Sequence, residues 1–203
     1  MSVSGILEKL TGGDRRSIGR VPEVVQQVLA QPGLVAELLA GLRHADPIVR
    51  LRAGDALEKV SRRHPEWLRP RRARLLRLAS TTQEQELRWH LAQLLPRIGL
   101  TPAQRRTLAG VLDRYFTDES AIVRVSALQS LADLAALDRG LRRRALARVR
   151  AGLLRDGPAV RARARRLLPV LAGRPDTPHE RPGSAGRSAP SRRAGLRVFS
   201  GRL

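Results

Sequence analysis

The arginine at position 50 stands in "PIVRLRAGDALEKV", and the same neighbourhood returns three times downstream. Arg88 sits in "QELRWHLAQLLPRI", Arg124 in "AIVRVSALQSLADL" and Arg161 in "PAVRARARRLLPVL", at spacings of 38, 36 and 37 residues. No other feature constrains the fold as tightly. A chain of like units about 37 residues long buries its apolar surface by stacking each unit on its neighbours.

The units repeat their apolar positions with helical spacing. Val49, Leu87, Val123 and Val160 precede the four arginines. Four residues later come Ala53, Leu91, Ala127 and Ala164, then Ala56-Leu57, Leu94-Leu95, Ser130-Leu131 and Leu167-Leu168. Val60, Ile98, Leu134 and Leu171 close the pattern, in which only Ser130 is polar. Positions i, i+4, i+7/8 and i+11 draw one stripe down a helix. A second amphipathic segment precedes each of these helices, at 33–42, 72–79, 102–116 and 140–154. Pro47 and Pro158 suit the first helical position, where a missing N–H has no partner to lose. Asp46 is placed to cap the helix behind it, and "TPAQ" at 101–104 reads as a capping box with Gly99 ending the preceding helix. The core is Leu, Val and Ala, because aromatics make up only 2% of the 203 residues. These are helix-compatible residues.

At these residues the chain resembles a known family. "DPIVRLRAGDAL" at 46–57 is similar to the second helix of a HEAT repeat, and the likeness runs over roughly residues 21–172 as four units and a truncated first one, "VPEVVQQVLA" (21–30). The resemblance implies an all-α, right-handed solenoid of about four to five HEAT-like helix pairs. It also implies that the second helices line a concave docking surface, and that Arg50, Arg88, Arg124 and Arg161 are structural, pairing with acids in the turns. The turn acids Asp46, Asp118 and Asp156 drift in register, and the unit at Arg88 offers Thr81-Thr82, so the sequence reads as an interrupted Asp–Arg ladder. Tetratricopeptide repeats do not fit, since their 34-residue period and Trp, Gly and Tyr landmarks are absent.

Outside the repeats the composition shifts. Residues 1–20 read as a short N-terminal helix and a Gly-rich flexible linker, "TGGDRRSIGR" at 11–20, which lacks the ending of a phosphate loop. From Gly173 to Leu203, Pro, Gly and Ser fill 13 of 31 positions beside seven Arg and two acids, which predicts a disordered basic tail. No secretory signal and no run of 18 apolar residues occurs, so a cytoplasmic protein that does not span a membrane is expected.

The function classes narrow by elimination. Without cysteine there is no thiolate zinc site and no cysteine nucleophile. The four His do not pair at ligand spacing, and neither a Ser/His/Asp set nor paired carboxylates stand out. No cofactor, no small-molecule substrate and no catalysis are therefore expected. Some proteins similar to HEAT repeats are bacterial alkylpurine DNA glycosylases, whose activity relies on an aromatic cradle beside a carboxylate. Here Trp67, Trp89, Tyr115, Phe116 and a lone Asp113 do not assemble that motif; bilin lyases, another such group, offer no motif to match.

Two binding readings remain. In the first, a non-catalytic scaffold docks a protein partner on the face of the second helices turned away from the stripe. That face carries Leu51, Asp55, Lys59, Trp89, His90, Gln93, Arg97, Val125 and Gln129. The Trp-His pair is its candidate anchor. In the second, the chain binds nucleic acid through Arg142, Arg143, Arg144, Arg148, Arg150, Arg163, Arg165 and Arg166, within a stretch (139–166) of eleven Arg and one acid. The net charge of +21 fits this reading, yet all the basic residues except Lys9 and Lys59 are Arg. Such a skew also follows from GC-rich codon usage. The scarcity of aromatics speaks against single-strand binding by base stacking.

Overall fold

The computed structural model describes residues 5–173. Nine α-helices form among them: α1 (Val21–Ala30), α2 (Val35–Gly41), α3 (Pro47–Arg63), α4 (Arg72–Thr81), α5 (Gln85–Leu94), α6 (Pro102–Tyr115), α7 (Ala121–Leu137), α8 (Arg142–Arg155) and α9 (Pro158–Ala172). Each odd helix packs on the next odd one, from α1 through α9, while α2, α4, α6 and α8 lie against α3, α5, α7 and α9. The result is a two-layer stack of helix pairs, built in chain order like a solenoid. The truncated first unit is α1, in the same layer as the later second helices. The tail expected from Gly173 onward lies, apart from Gly173, outside the described residues.

The stripes drive the stacking. Val49, Ala53, Leu57 and Val60 are fully buried on α3, as are Val123, Ala127, Leu131 and Leu134 on α7. Each such Leu or Val stabilises the stack by about 1.5–3 kcal/mol. α7, in mid-stack, packs against α5, α6, α8 and α9, so its buried surface extends well past one stripe. The odd polar stripe residue, Ser130, is buried and donates to the Ala92 carbonyl of α5.

Helix starts follow the local chemistry. Asp46 Oδ1 accepts from the Ile48 N–H at 2.8 Å with Pro47 at the first position. Thr101 and Gln104 form a reciprocal capping box. Gly99 adopts φ 69°, the left-handed region that ends a helix. α5 stops sooner than the stripe suggests, because Pro96 breaks the α-helical ladder and the chain tightens into a 3-10 turn over Leu95–Arg97. No described helix is long and apolar enough to cross a membrane.

The segment 11–20 is a loop held against the stack by one side chain. Arg52, 2% exposed on α3, reaches into it. Its Nη1 donates to the carbonyls of Leu10 (2.9 Å), Thr11 (3.1 Å) and Gly12 (2.7 Å), and Nη2 to Asp14 and Ser17. Gly19 passes so close that a Cβ there would lie 2.8 Å from the guanidinium carbon, and its φ is 53°. Glycine is needed at that point.

Candidate functional site

The marker arginines form a ladder along one edge of the stack, and it is continuous where the sequence reading left a gap. Arg50 Nε donates to Glu84 at 2.9 Å, Arg88 Nη1 to Asp118 at 2.6 Å and Arg124 Nε to Asp156 at 3.2 Å. Each arginine also holds carbonyls of its own turn: His44 and Ala45 for Arg50, Thr82 for Arg88, Asp118 and Glu119 for Arg124. The acid each meets belongs to the following unit. Glu84, rather than Thr81-Thr82, fills the position thought vacant. Arg161 is exposed and meets no carboxylate among the described residues.

The outward face of the odd layer carries the candidate docking residues, and most of their polar groups are already bonded to each other. Lys59 pairs with Asp55. Arg97 Nη1 donates to the buried Glu58 at 2.8 Å and to Ser61 at 3.2 Å, and Arg62 reaches the same Glu58 oxygen. Gln93 donates to Ser126 at 3.1 Å, Gln129 to Asp133 at 2.8 Å, and Arg163 to Gln129 at 2.8 Å. Burial raises the carboxyl of Asp133, while the Gln129 hydrogen bond and the charges of Arg97 and Arg163 oppose the rise. Val125 is half-buried among them. The face is a polar seam that stitches the units together.

Its open part is a cleft of about 210 Å³ at the N-terminal end. One wall is the loop Arg15–Ile18, folded over by Arg52; the other is Leu51, Asp55 and Lys59 of α3 with Trp89 and His90 of α5. Five of the nine predicted docking residues meet here. Leu51 and His90 are buried, 8% and 4% exposed, and form the floor of the cleft. Adjacent helical residues sit 100° apart, which sends His90 inward and leaves Trp89 half-buried at the mouth. Ile18, on the opposite lip, is 56% exposed. The loop wall went unread in the sequence because nothing in the repeat pattern marks Arg52 as its tether.

Trp89 Nε1–H donates to His90 Nδ1 at 2.8 Å, which places the His90 proton on Nε2. That Nε2 is buried without a hydrogen-bond partner among the described residues. Burial pushes the imidazole down to about 3; the Glu58 charge opposes the shift and that of Lys59 adds to it. The folded state therefore resists protonation that the unfolded chain accepts below about 6.5. Stability is full above that value and is lost as pH falls toward 3. Between pH 6 and pH 5 the wild type should lose about 1 kcal/mol more than His90→Asn, read from urea midpoints at each pH. Parallel pH profiles would show that His90 titrates alike in both states.

The candidate nucleic-acid cluster is dispersed by the fold. Arg142 donates to the Leu171 carbonyl at the end of α9. Arg144 and Arg148 both grip Asp113, with Arg148 5.2 Å above the Phe116 ring. Arg163 is held by Gln129. Arg143, Arg150, Arg165 and Arg166 are exposed and without partners among the described residues. Two of the aromatics named for a base cradle, Tyr115 and Trp67, are engaged inside the stack. Tyr115 is buried and donates to the Ala79 carbonyl at 2.6 Å, and Trp67 stacks on His64 at 4.0 Å.

The architecture is that of an all-helical repeat stack. Neither a family model nor a curated protein matches the sequence. The fold is similar to the crystal structure of an engineered protein, a Northeast Structural Genomics Consortium target, at 19% sequence identity. The match covers 83% of this chain and 78% of that one, with a TM-score of 0.57. At that identity the likeness concerns the fold alone.

Proposed function

We propose that the chain is a non-catalytic, HEAT-like scaffold that docks a protein partner on the outward face of the odd layer, with Trp89 as anchor. The observation that carries this reading is the cleft between the Arg15–Ile18 loop and the Leu51–Trp89 wall. It is the part of the face where the polar seam opens into a concavity with apolar side chains at its mouth. Trp89 and Ile18 give it apolar lips, and the ion pairs Arg15–Glu86 and Lys59–Asp55 flank it. A half-buried Trp beside fixed walls is the kind of group that dominates protein–protein binding energy.

In a pull-down with the full chain, Trp89→Ala should weaken capture of the partner by about 2 kcal/mol, roughly 30-fold. Trp89→Phe should recover part of it. An unchanged set of captured proteins, with helicity intact by circular dichroism, would remove Trp89 as the anchor. The nucleic-acid reading keeps four solvent-facing arginines. It predicts binding to random duplex DNA at ~50 mM salt that falls steeply as salt rises, and no binding at that salt ends it.

A further inference from the structure

The stack ends differently from how it runs. Inside it, the position four residues after each marker arginine faces the following unit. A Cβ on Gly54 would touch Leu87 and His90 of α5. The Ala92 carbonyl takes the Ser130 hydroxyl of α7, and Leu128 abuts Gly152 of α8. All three are buried. The same position on α9 holds Arg165, exposed. Leu131 and Ala109 are fully buried, while their counterparts 37 residues on, Leu168 and Leu146, are half-exposed. Asp113 of α6 receives two arginines from the following unit, and its counterpart on α8 is the exposed Arg150. Arg161 ends the ladder without a carboxylate among the described residues.

This end face therefore keeps the apolar surface of a stacking face and replaces its acid with arginine. We propose that the face, Leu146, Leu153 and Leu168 framed by Arg150, Arg161 and Arg165, docks an acidic amphipathic helix of a partner protein in the place a further unit would occupy. The helix would lay leucines or similar side chains on the three leucines and bring carboxylates to Arg161 and Arg165. The ladder already shows that chemistry at 2.6–3.2 Å. A second copy of the chain is a poor occupant: each chain carries +21, and Glu23 on α1 is already taken by Lys9 and Arg20. The segment 174–203 has seven Arg and two acids, so it bears the same sign as the face. Nucleic acid would answer the arginines but leave the leucines uncovered.

The probe is a labelled ~20-residue synthetic peptide, long enough to span the two-helix face at 1.5 Å per residue, with Leu on one helical face and Glu and Asp on the others. Fluorescence anisotropy with the full chain should show saturable binding below ~100 µM, weakened at least ~10-fold by Arg161→Glu with Arg165→Glu. Arg150→Glu repeats the test from the other helix. Arg155→Glu with Arg166→Glu, exposed on the same helices but turned more than 90° from this face, should change binding less than ~2-fold. Trp89→Ala should leave it unchanged, which separates this surface from the cleft. The proposal is overturned by absent binding, by equal loss from both arginine pairs, or by equally tight binding of a peptide with Ser for Leu. The last two results would mark a surface for any polyanion, nucleic acid included.

Discussion

Arg52→Ala should lose about 4 kcal/mol of stability and release the N-terminal loop. A hydrogen bond from a charged donor is worth about 1.5–3 kcal/mol when it is desolvated. Arg52 donates to five carbonyls from a side chain that is 2% exposed. Those bonds do not sum, because the loop residues are themselves exposed and their carbonyls regain water once freed. What does not regain water is the Leu10 carbonyl, whose bond to Arg52 is buried. The measurement is a urea midpoint at constant m-value, beside limited trypsin digestion. Arg15, Arg16 and Arg20 lie in the loop and should become cleavable in the variant. Arg52→Lys keeps the charge but not the planar fork, so it should recover little. A loss under about 1 kcal/mol would mean that the loop holds its shape without this tether.

The contrast between Arg52 and the ladder shows what the sequence could and could not reveal. The four marker arginines announce themselves by period, and so do the stripe, the pairs of helices and the caps at Asp46 and Thr101. Residues two places after each marker are Arg52, His90, Ser126 and Arg163, three residue types in four units and no repeated pattern. Each faces back along the stack: Arg52 to the loop, His90 to Gly54, Ser126 to Gln93 and Arg163 to Gln129. A position that meets a different neighbour in every unit has no repeated signature to read. The pairing of the ladder acids, and Glu84 among them, was hidden for another reason. Glu84 precedes Arg88 by four residues, as Asp46 precedes Arg50, but Glu84, Asp118 and Asp156 each serve the arginine of the preceding unit. An offset counted within one unit cannot show a bond made between two. The cleft combines both difficulties, since one wall comes from a Gly-rich loop whose shape is set by a side chain 35 to 42 residues away.

Asp118→Ala should cost about 3 kcal/mol, the largest loss expected from any one rung of the ladder. Its carboxylate, 7% exposed, accepts from Arg88 Nη1 at 2.6 Å and from the Ser120 N–H at 2.9 Å. Removing it leaves Arg88, itself only 21% exposed, beside Tyr115 without its anion, and frees the Ser120 N–H in the turn that leads into α7. Asp118→Asn keeps an acceptor for Ser120 and loses the charge, so it should cost about half as much. The turn would also loosen its hold on the next rung, because the Asp118 carbonyl is where Arg124 docks at 2.6 Å. A double-mutant cycle with Arg88→Ala isolates the pair, and a coupling of about 1–2 kcal/mol is expected. A coupling below about 0.5 kcal/mol would make the rung a surface ion pair, which holds little. Stack cohesion would then rest on the apolar stripes alone.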